Sequence, residues 1–203
     1  PGGEVMVETL RAGDLVTTQD YGPSKVLWIG CTEVVLQAGQ VDPRRTPVRI
    51  KPDVASGARA LLVSPQHCLM MTDATGQPVL VRARNLAEET RLAAFAQGRS
   101  TETYWHVLLE QHSVLISQSR PSESFYPGPN GLAMMAAPER TRLLNALPAL
   151  RTAPVETAYG PRTMKVLTRS EVRSSARTGA FAFAAPQESI VPLPTDYRSQ
   201  FVA

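Results

Sequence analysis

Histidine and cysteine are both scarce in this chain of 203 residues. It contains two cysteines, Cys31 and Cys68, and three histidines, His67, His106 and His112. Two cysteines cannot make a disulfide framework, and neither belongs to a Cys-x-x-Cys pair. Each lies in a strand-like run, where a free cysteine usually behaves as a small buried hydrophobic residue. The cysteines therefore indicate neither a disulfide scaffold nor a redox pair.

Long apolar runs, strong charge and aromatic residues are also lacking. No run approaches the roughly 20 apolar residues of a membrane span, and the first residues show no signal-peptide pattern. The net charge is only +3, the arginines are dispersed, and aromatics make up 6% of the chain, which argues against a nucleic-acid surface. The hydrophobic fraction of 43% is sufficient for a core. We expect one globular domain, with or without an appendage, and neither a membrane span nor a nucleic-acid partner.

Short β-like runs separated by turn residues dominate the first 126 residues. Turn chemistry occurs at residues 11–14 and 21–24, and residues 72–77 have the composition of a hairpin loop. Val5 and Val7 alternate with Glu4, Met6 and Glu8 and predict a strand entered from a turn at residues 1–4. This spacing predicts an all-β domain. The other predicted strands cover residues 15–18, 25–30, 48–50, 60–63, 68–72, 79–82, 104–109 and 113–117.

Helical patterns are confined to two places, a short turn at residues 83–86 and a better helix at residues 137–147. Beyond Glu171 the sequence becomes rich in Ser, Arg and Ala and is then interrupted by prolines. We therefore predict one domain over residues 1–172 and a flexible tail over residues 173–203.

The three histidines fall in two short strand-like segments, residues 64–69 and 104–112. Histidine can gain or lose a proton near neutral pH, so this clustering favours a proton-transfer site over three unrelated structural histidines. His106 and His112 are separated by an even number of residues and share one face if the strand is unbroken. Cys68 directly follows His67, so the two side chains point to opposite faces and would not meet as nucleophile and base.

Several motifs, in order along the chain, resemble the Hint domain, the self-processing module of hedgehog autoprocessing domains and inteins. The match is closest to its bacterial branch and extends over most of residues 1–172. The resemblance implies a horseshoe-like all-β fold with a short C-terminal helix and tail. The motifs are residues 10–16 (LRAGDLV), 28–30 (WIG), 62–67 (LVSPQH), 104–112 (YWHVLLEQH), 121–125 (PSESF) and 158–161 (AYGP).

The resemblance also implies the chemistry. In Hint domains a Cys or Ser attacks the preceding peptide carbonyl, and the resulting thioester or ester reacts with water, a thiol or another nucleophile. The family's Thr-x-x-His block stands here as Ser64 to His67, which implies that His67 is the general acid for the leaving nitrogen. The Ser64 hydroxyl would hold the same amide in a strained geometry, although Ser64 taken alone also fits a turn residue before Pro65.

The later histidine segment resembles the family block in which an Asp commonly assists the second step. His106 stands at that position, and His112 falls where many members also carry a histidine. Glu110 is the alternative acid or base if the strand is broken near Gln111. The implied partner is a flanking polypeptide in cis, and no cofactor is implied.

Two departures from the family pattern limit these expectations. The nucleophile segment that precedes a turn like residues 1–4 is not in the printed sequence, so we expect the chain as given to be N-terminally truncated and inactive in acyl shift. The His-Asn ending of inteins is also absent, which favours autocatalytic cleavage over protein splicing. Nothing identifies a sterol-binding appendage, and localisation stays open, with secretion as part of a larger bacterial protein one option.

Two other classes of function are compatible with the same residues. His67, His106, His112 and Glu110 offer three imidazoles and a carboxylate, a ligand set that suits Zn²⁺, although no tight ligand pair supports it. Alternatively, the chain is a non-catalytic β-module that keeps the scaffold for binding.

Overall fold

The computed structural model describes residues 4–37, 39–53, 57–179, 181–185 and 200–201. Most of its regular structure is β-sheet. The strands are β1 (Leu15–Thr18), β2 (Gly22–Val35), β3 (Val48–Ile50), β4 (Leu61–Val63), β5 (Cys68–Thr72), β6 (Pro78–Arg82), β7 (Ala93–Phe95), β8 (Thr101–Leu109), β9 (Val114–Ser117), β10 (Arg120–Glu123), β11 (Ala182–Phe183) and β12 (Gln200–Phe201). The helices are α1 (Ala83–Glu89), α2 (Pro129–Met134), α3 (Ala137–Ala146), α4 (Val155–Ala158) and α5 (Arg169–Arg177). The prediction of an all-β domain is confirmed.

Two sheets organise the strands. The larger one runs β11-β5-β10-β9-β1-β2-β8, with β6 paired to β5 and β12 paired to β1. The smaller one has the order β4-β3-β7. Because β5 pairs with β10 while β8 pairs with β2, the segments that carry the histidines belong to one continuous sheet system.

Strand β2 is the longest element, and its sequence explains why. Its residues alternate between buried and more exposed positions along nearly all of its length, which is the period of a half-buried strand. It pairs antiparallel with β8 from Val26 opposite Leu109 to Val35 opposite Thr101, with one irregularity between Val26 and Trp28. The long ladder places His106 directly opposite Gly30.

Apolar side chains on both faces of these sheets form several cores. One core joins β3, β5, β6 and β7 to helices α1 and α5, with Ile50, Leu69 and Leu86 fully buried. Another lies between β2, β8 and α3, where Trp28, Leu108 and Leu143 are buried together. Phe125 packs against this second core and also contacts the ring of His106.

The prediction that helices occur in only two places is wrong. The predicted segments are present as α1 and α3, but α2, α4 and α5 are additional. Helix α5 begins with a capping box, in which the Thr168 side chain accepts from the Glu171 backbone and the Glu171 side chain accepts from the Thr168 backbone. Among the described residues, no helix is long and apolar enough to cross a membrane.

The predicted tail begins inside α5, whose Val172 is fully buried in the core beside α1. Further on, Phe183 pairs with Met71 of β5. Residues 186–199 and 202–203 of the predicted tail lie outside the described residues. Where the domain ends therefore stays a prediction.

The strand predicted around Val5 and Val7 is wrong. Residues Val7–Thr9 form a turn of 3-10 helix instead. The Thr9 hydroxyl and backbone amide both donate to the Met6 carbonyl, and the Leu10 amide donates to the Val7 carbonyl. These local bonds satisfy the backbone without a neighbouring strand.

Candidate functional site

His67 lies in a tight turn that ends where β5 begins. Its backbone amide donates to both the carbonyl and the hydroxyl of Ser64, each at 3.2 Å. Its carbonyl accepts from the amide of Ala83 at 2.8 Å, so the first residue of α1 holds the turn from the other side. The Ser64 hydroxyl therefore fixes the His67 backbone. Burial lowers the pKa of His67, while the nearby Glu123 carboxylate opposes that lowering.

His106 projects from β8 into the same region. Its Nε2 lies 2.9 Å from the Thr32 hydroxyl on β2, and its ring packs against Phe125 at 4.9 Å between centroids. Burial, together with the smaller effect of the neighbouring charge of His67, lowers the pKa of His106 to about 4. The ring is therefore neutral at physiological pH.

His112 reaches the site from a different direction than predicted. Strand β8 ends at Leu109 and β9 begins at Val114, so the two histidines do not share an unbroken strand. The His112 Nδ1 accepts from the backbone amide of Thr163 at 3.1 Å, and its Nε2 lies 3.3 Å from Glu123 Oε2. Because an accepting Nδ1 carries no proton, the Nε2 proton points at the carboxylate and the ring is neutral. Its side chain is fully buried.

Glu123, at the end of β10, contacts residues from several parts of the chain. Its Oε1 accepts from the backbone amide of Cys68 at 2.9 Å, and its Oε2 accepts from Arg162 Nη1 at 2.9 Å and faces His112. Despite burial, which raises its pKa, these partners hold the pKa of Glu123 at about 2. The site thus contains a buried, permanently ionised carboxylate immediately beside the residue that follows His67.

A cavity of about 400 Å³ opens between these elements. His67, Ser64 and His106, three of the four predicted site residues, line it together with Glu123 and Arg162. Residues 4–8 line it as well, so the first described stretch of the chain passes along its wall. His112 stands behind Glu123 and contacts the site through that carboxylate. The rest of the wall is largely apolar and includes Leu61, Trp105, Phe125 and Met134.

Cys68 also lines the cavity, but its environment disfavours a thiolate. It is 2% exposed, and burial together with the Glu123 carboxylate raises its pKa well above the ordinary value. A thiol in this state is a poor nucleophile.

The cluster proposed as a zinc site is not assembled in the part of the chain that the structure describes. No group of three or more His, Cys, Asp or Glu side chains is arranged there to hold a metal ion. Both ring nitrogens of His112 have hydrogen-bond partners, and Glu110 is exposed at the end of β8.

Sequence reasoning missed Glu123, Arg162 and Thr32. Glu123 falls within the 121–125 motif, where it is a charged residue among buried neighbours, and that contrast was the available signal. Arg162 directly follows the motif at residues 158–161. Thr32 carries no sequence signal, because only the pairing of β2 with β8 brings it to His106.

The fold and the cavity define a β-rich module with a histidine-lined cleft, in which one histidine is kept neutral and another lies near a buried carboxylate. The family model of the Hint domain matches residues 1–129. The chain belongs to the Hint domain family and has an all-β Hint fold with a short C-terminal helix. No curated protein and no solved structure matches the chain.

Proposed function

We propose that this Hint domain cleaves a peptide bond of a polypeptide joined to it, through an N-to-S or N-to-O acyl shift. The observation that carries the proposal is the cavity itself, which brings His67, Ser64 and His106 together beside residues 4–8. A polypeptide that continues on the N-terminal side of residue 4 would enter the same cavity. The partner is therefore the flanking chain in cis, and the acceptor is water, a thiol or another nucleophile.

In the proposed reaction a Cys or Ser side chain attacks the carbonyl carbon of the preceding peptide bond. The neutral imidazole of His67 takes the proton of the thiol or hydroxyl and then delivers it to the departing nitrogen, so that the C–N bond breaks as the C–S or C–O bond forms. The lowered pKa of His67 suits this role, since the neutral ring is ready to accept and its protonated form is a good acid. Ser64 fixes the turn that presents His67.

In this proposal the attacking Cys or Ser belongs to the chain on the N-terminal side of residue 4. No Cys or Ser occurs before Ser24 in the printed sequence, and Cys68 is held as a thiol. We expect the printed chain by itself not to perform the acyl shift. His106, kept neutral against Phe125 and Thr32, would accept or donate a hydrogen bond in the second step, when the acceptor attacks the ester. His112 would act through Glu123.

Trapping the ester tests this proposal. A carrier protein is joined to Pro1 through a short segment that begins with Cys or Ser, because the family places the nucleophile a short way ahead of residues 1–4. The folded fusion is treated with hydroxylamine, which converts a thioester or ester into a carrier hydroxamate. The hydroxamate should form with Cys or Ser at the junction and not with Ala. If the fusion stays intact in hydroxylamine with all three junction residues, the acyl shift is wrong and the cavity belongs to a binding module.

A further inference from the structure

Two of the groups that complete the site come from beyond residue 129, where the match to the family model ends. Arg162 Nη1 donates to Glu123 Oε2 at 2.9 Å. The backbone amide of Thr163, the next residue, donates to His112 Nδ1 at 3.1 Å. Neighbouring residues of one segment therefore contact both partners of the pair that Glu123 and His112 form.

This segment is held firmly in place. The Tyr159 hydroxyl donates to the carbonyl of Leu109 at 3.0 Å, and the Tyr126 hydroxyl donates to the carbonyl of Gly160 at 3.1 Å. Gly160 has a φ of +108°, which lets the chain turn sharply before Arg162. The segment thus follows a fixed path across the end of β8.

Two more contacts fix the side chains that reach the site. The Arg162 guanidinium lies over the Tyr126 ring, 4.1 Å from its centroid. The Thr163 hydroxyl donates to Asp20 Oδ2 at 2.7 Å, and Asp20 Oδ1 accepts from the amide of Val114. A guanidinium sandwiched between an aromatic ring and a carboxylate has little rotational freedom.

The charges explain why the arginine is needed. The Nδ1 of His112 accepts a hydrogen bond from the Thr163 amide, so its Nε2 is the atom that donates to Glu123. Arg162 is then the permanent cation in contact with this buried carboxylate. Removing one partner of a buried ion pair is costly, because the other charge stays buried without compensation.

We infer that Arg162 is a positioning residue of the Hint site, which holds the Glu123 carboxylate on the backbone amide of Cys68 and thereby fixes the preceding residue, His67. The chain of contacts runs from Arg162 to Glu123 Oε2, from Glu123 Oε1 to the Cys68 amide, and from there to the turn that carries His67. This inference rests on the proposed acyl shift for its catalytic consequence but not for its geometry.

The charged and titratable groups around Glu123 come from four elements. They are His67 in the turn before β5, Cys68 at the start of β5, His112 between β8 and β9, and Arg162 in the segment after α4. Of these, the guanidinium keeps its charge throughout the accessible pH range. Its removal should therefore raise the pKa of Glu123.

The test compares Arg162→Gln and Arg162→Lys with Arg151→Gln as a matched control. Arg151 makes its hydrogen bond to Asn145, away from the cavity. Carboxyl NMR on the printed chain should show the Glu123 titration moving up by about one pH unit or more in Arg162→Gln, since an opposite charge lowers a carboxyl pKa by about 1–3 units. The lysine variant should restore part of the difference, and Arg151→Gln should leave Glu123 unchanged.

The cleaving fusion then supplies a double-mutant cycle. We expect Arg162→Gln to slow cleavage at least about tenfold, and to add nothing to Glu123→Gln, because Arg162 acts through that carboxylate. If Arg162→Gln does not fold, the double variant, which removes both charges, still compares directly with Glu123→Gln. An unchanged Glu123 titration would overturn the inference. So would losses in cleavage rate that add up when Arg162→Gln and Glu123→Gln are combined.

The two proposals fail in different ways. The Glu123 titration needs no cleavage, so a fusion that never cleaves would contradict the acyl shift while leaving the positioning of Glu123 to be decided by NMR. A fusion that cleaves normally with Arg162→Gln would retain the acyl shift and reject the role of Arg162.

Discussion

At the scale of single residues, the structure separates three histidines that look alike in the sequence. His67 has a buried carboxylate nearby that favours its protonated form, whereas the charge that acts on His106 is that of His67, which disfavours protonation. His112 is locked in one neutral tautomer. Of the three, His67 is best suited to exchange a proton with a substrate.

The pKa of His106 makes folding depend on pH. In the unfolded chain this ring binds a proton below about pH 6.5, but in the folded protein it does so only below about pH 4. The unfolded state therefore binds more protons between these values, and stability falls as the pH drops from 6.5 to 4. The full effect is about 3 kcal/mol.

Chemical denaturation of the wild type and of His106→Gln at pH 7 and pH 4.5 measures this effect. The glutamine cannot titrate, so the variant should lose less stability than the wild type over this range, with a difference of about 2–3 kcal/mol. His67 and the carboxylates titrate in both proteins and cancel in the comparison. Equal losses in the two proteins would show that His106 is not held neutral.

The residue types at the site were largely predictable, but their contacts were not. His67 and Ser64 lie three residues apart, so a local turn is enough to join them. Glu123 meets Cys68 only because β10 pairs with β5, and this pairing joins positions more than 50 residues apart. Sequence periodicity carries no information about which strands become neighbours.

At the scale of elements, the strands from β1 to β6, β8 and β9 were predicted at least in part, whereas β7, β10, β11 and β12 were not. Strands β8 and β9 were predicted as separate segments, and the polar run at residues 110–112 lies between them. Helix α5 was missed because its composition is typical of a tail. Its capping box, Thr168 and Glu171, was the readable signal.

The packing of α3 on β2 depends on Gly30. A Cβ at this position would overlap the buried Trp28 indole and the Glu139 carboxylate. We expect Gly30→Ala to destabilise the fold by about 1–3 kcal/mol, because the indole has no room to move aside. Thermal or chemical denaturation measures the loss.

Gly128→Ala is the matched control for Gly30→Ala. Its φ is −74°, and an added Cβ would make only ordinary contact with the Tyr126 ring at 3.5 Å. This variant should be close to the wild type in stability. Comparable effects of the two alanines would contradict the close packing of Trp28 over Gly30.

Helix α5 should contribute to stability although it follows the region matched by the family model. Val172 is fully buried with residues of α1 and β3, so Val172→Ala should cost about 2 kcal/mol of unfolding free energy. Ser174→Ala, on the exposed side of the same helix, should cost little and serves as the control. Equal stabilities of the two variants would mean that α5 does not share the core in solution.

At the scale of the whole molecule, the sheet system brings together segments that are far apart in the chain. The first described residues, the turn before β5, strand β8 and residues 159–163 all reach one cavity or its supporting carboxylate. The family match covers residues 1–129, whereas residues 159–163 lie beyond it and still contribute to the site. We propose that this site cleaves an attached polypeptide with His67 as the proton carrier.

Intact-mass spectrometry of a carrier fusion with Cys at the junction tests that claim most directly. A time course with and without added thiol is recorded for the wild type, for His67→Ala and for Arg151→Gln as a control away from the cavity. We expect the wild type and Arg151→Gln to release the carrier, and to do so faster with thiol. Release from His67→Ala should be at least about a hundredfold slower, because this variant lacks the general acid and base. A folded wild-type fusion that keeps its full mass, or equal release from His67→Ala, would contradict the claim.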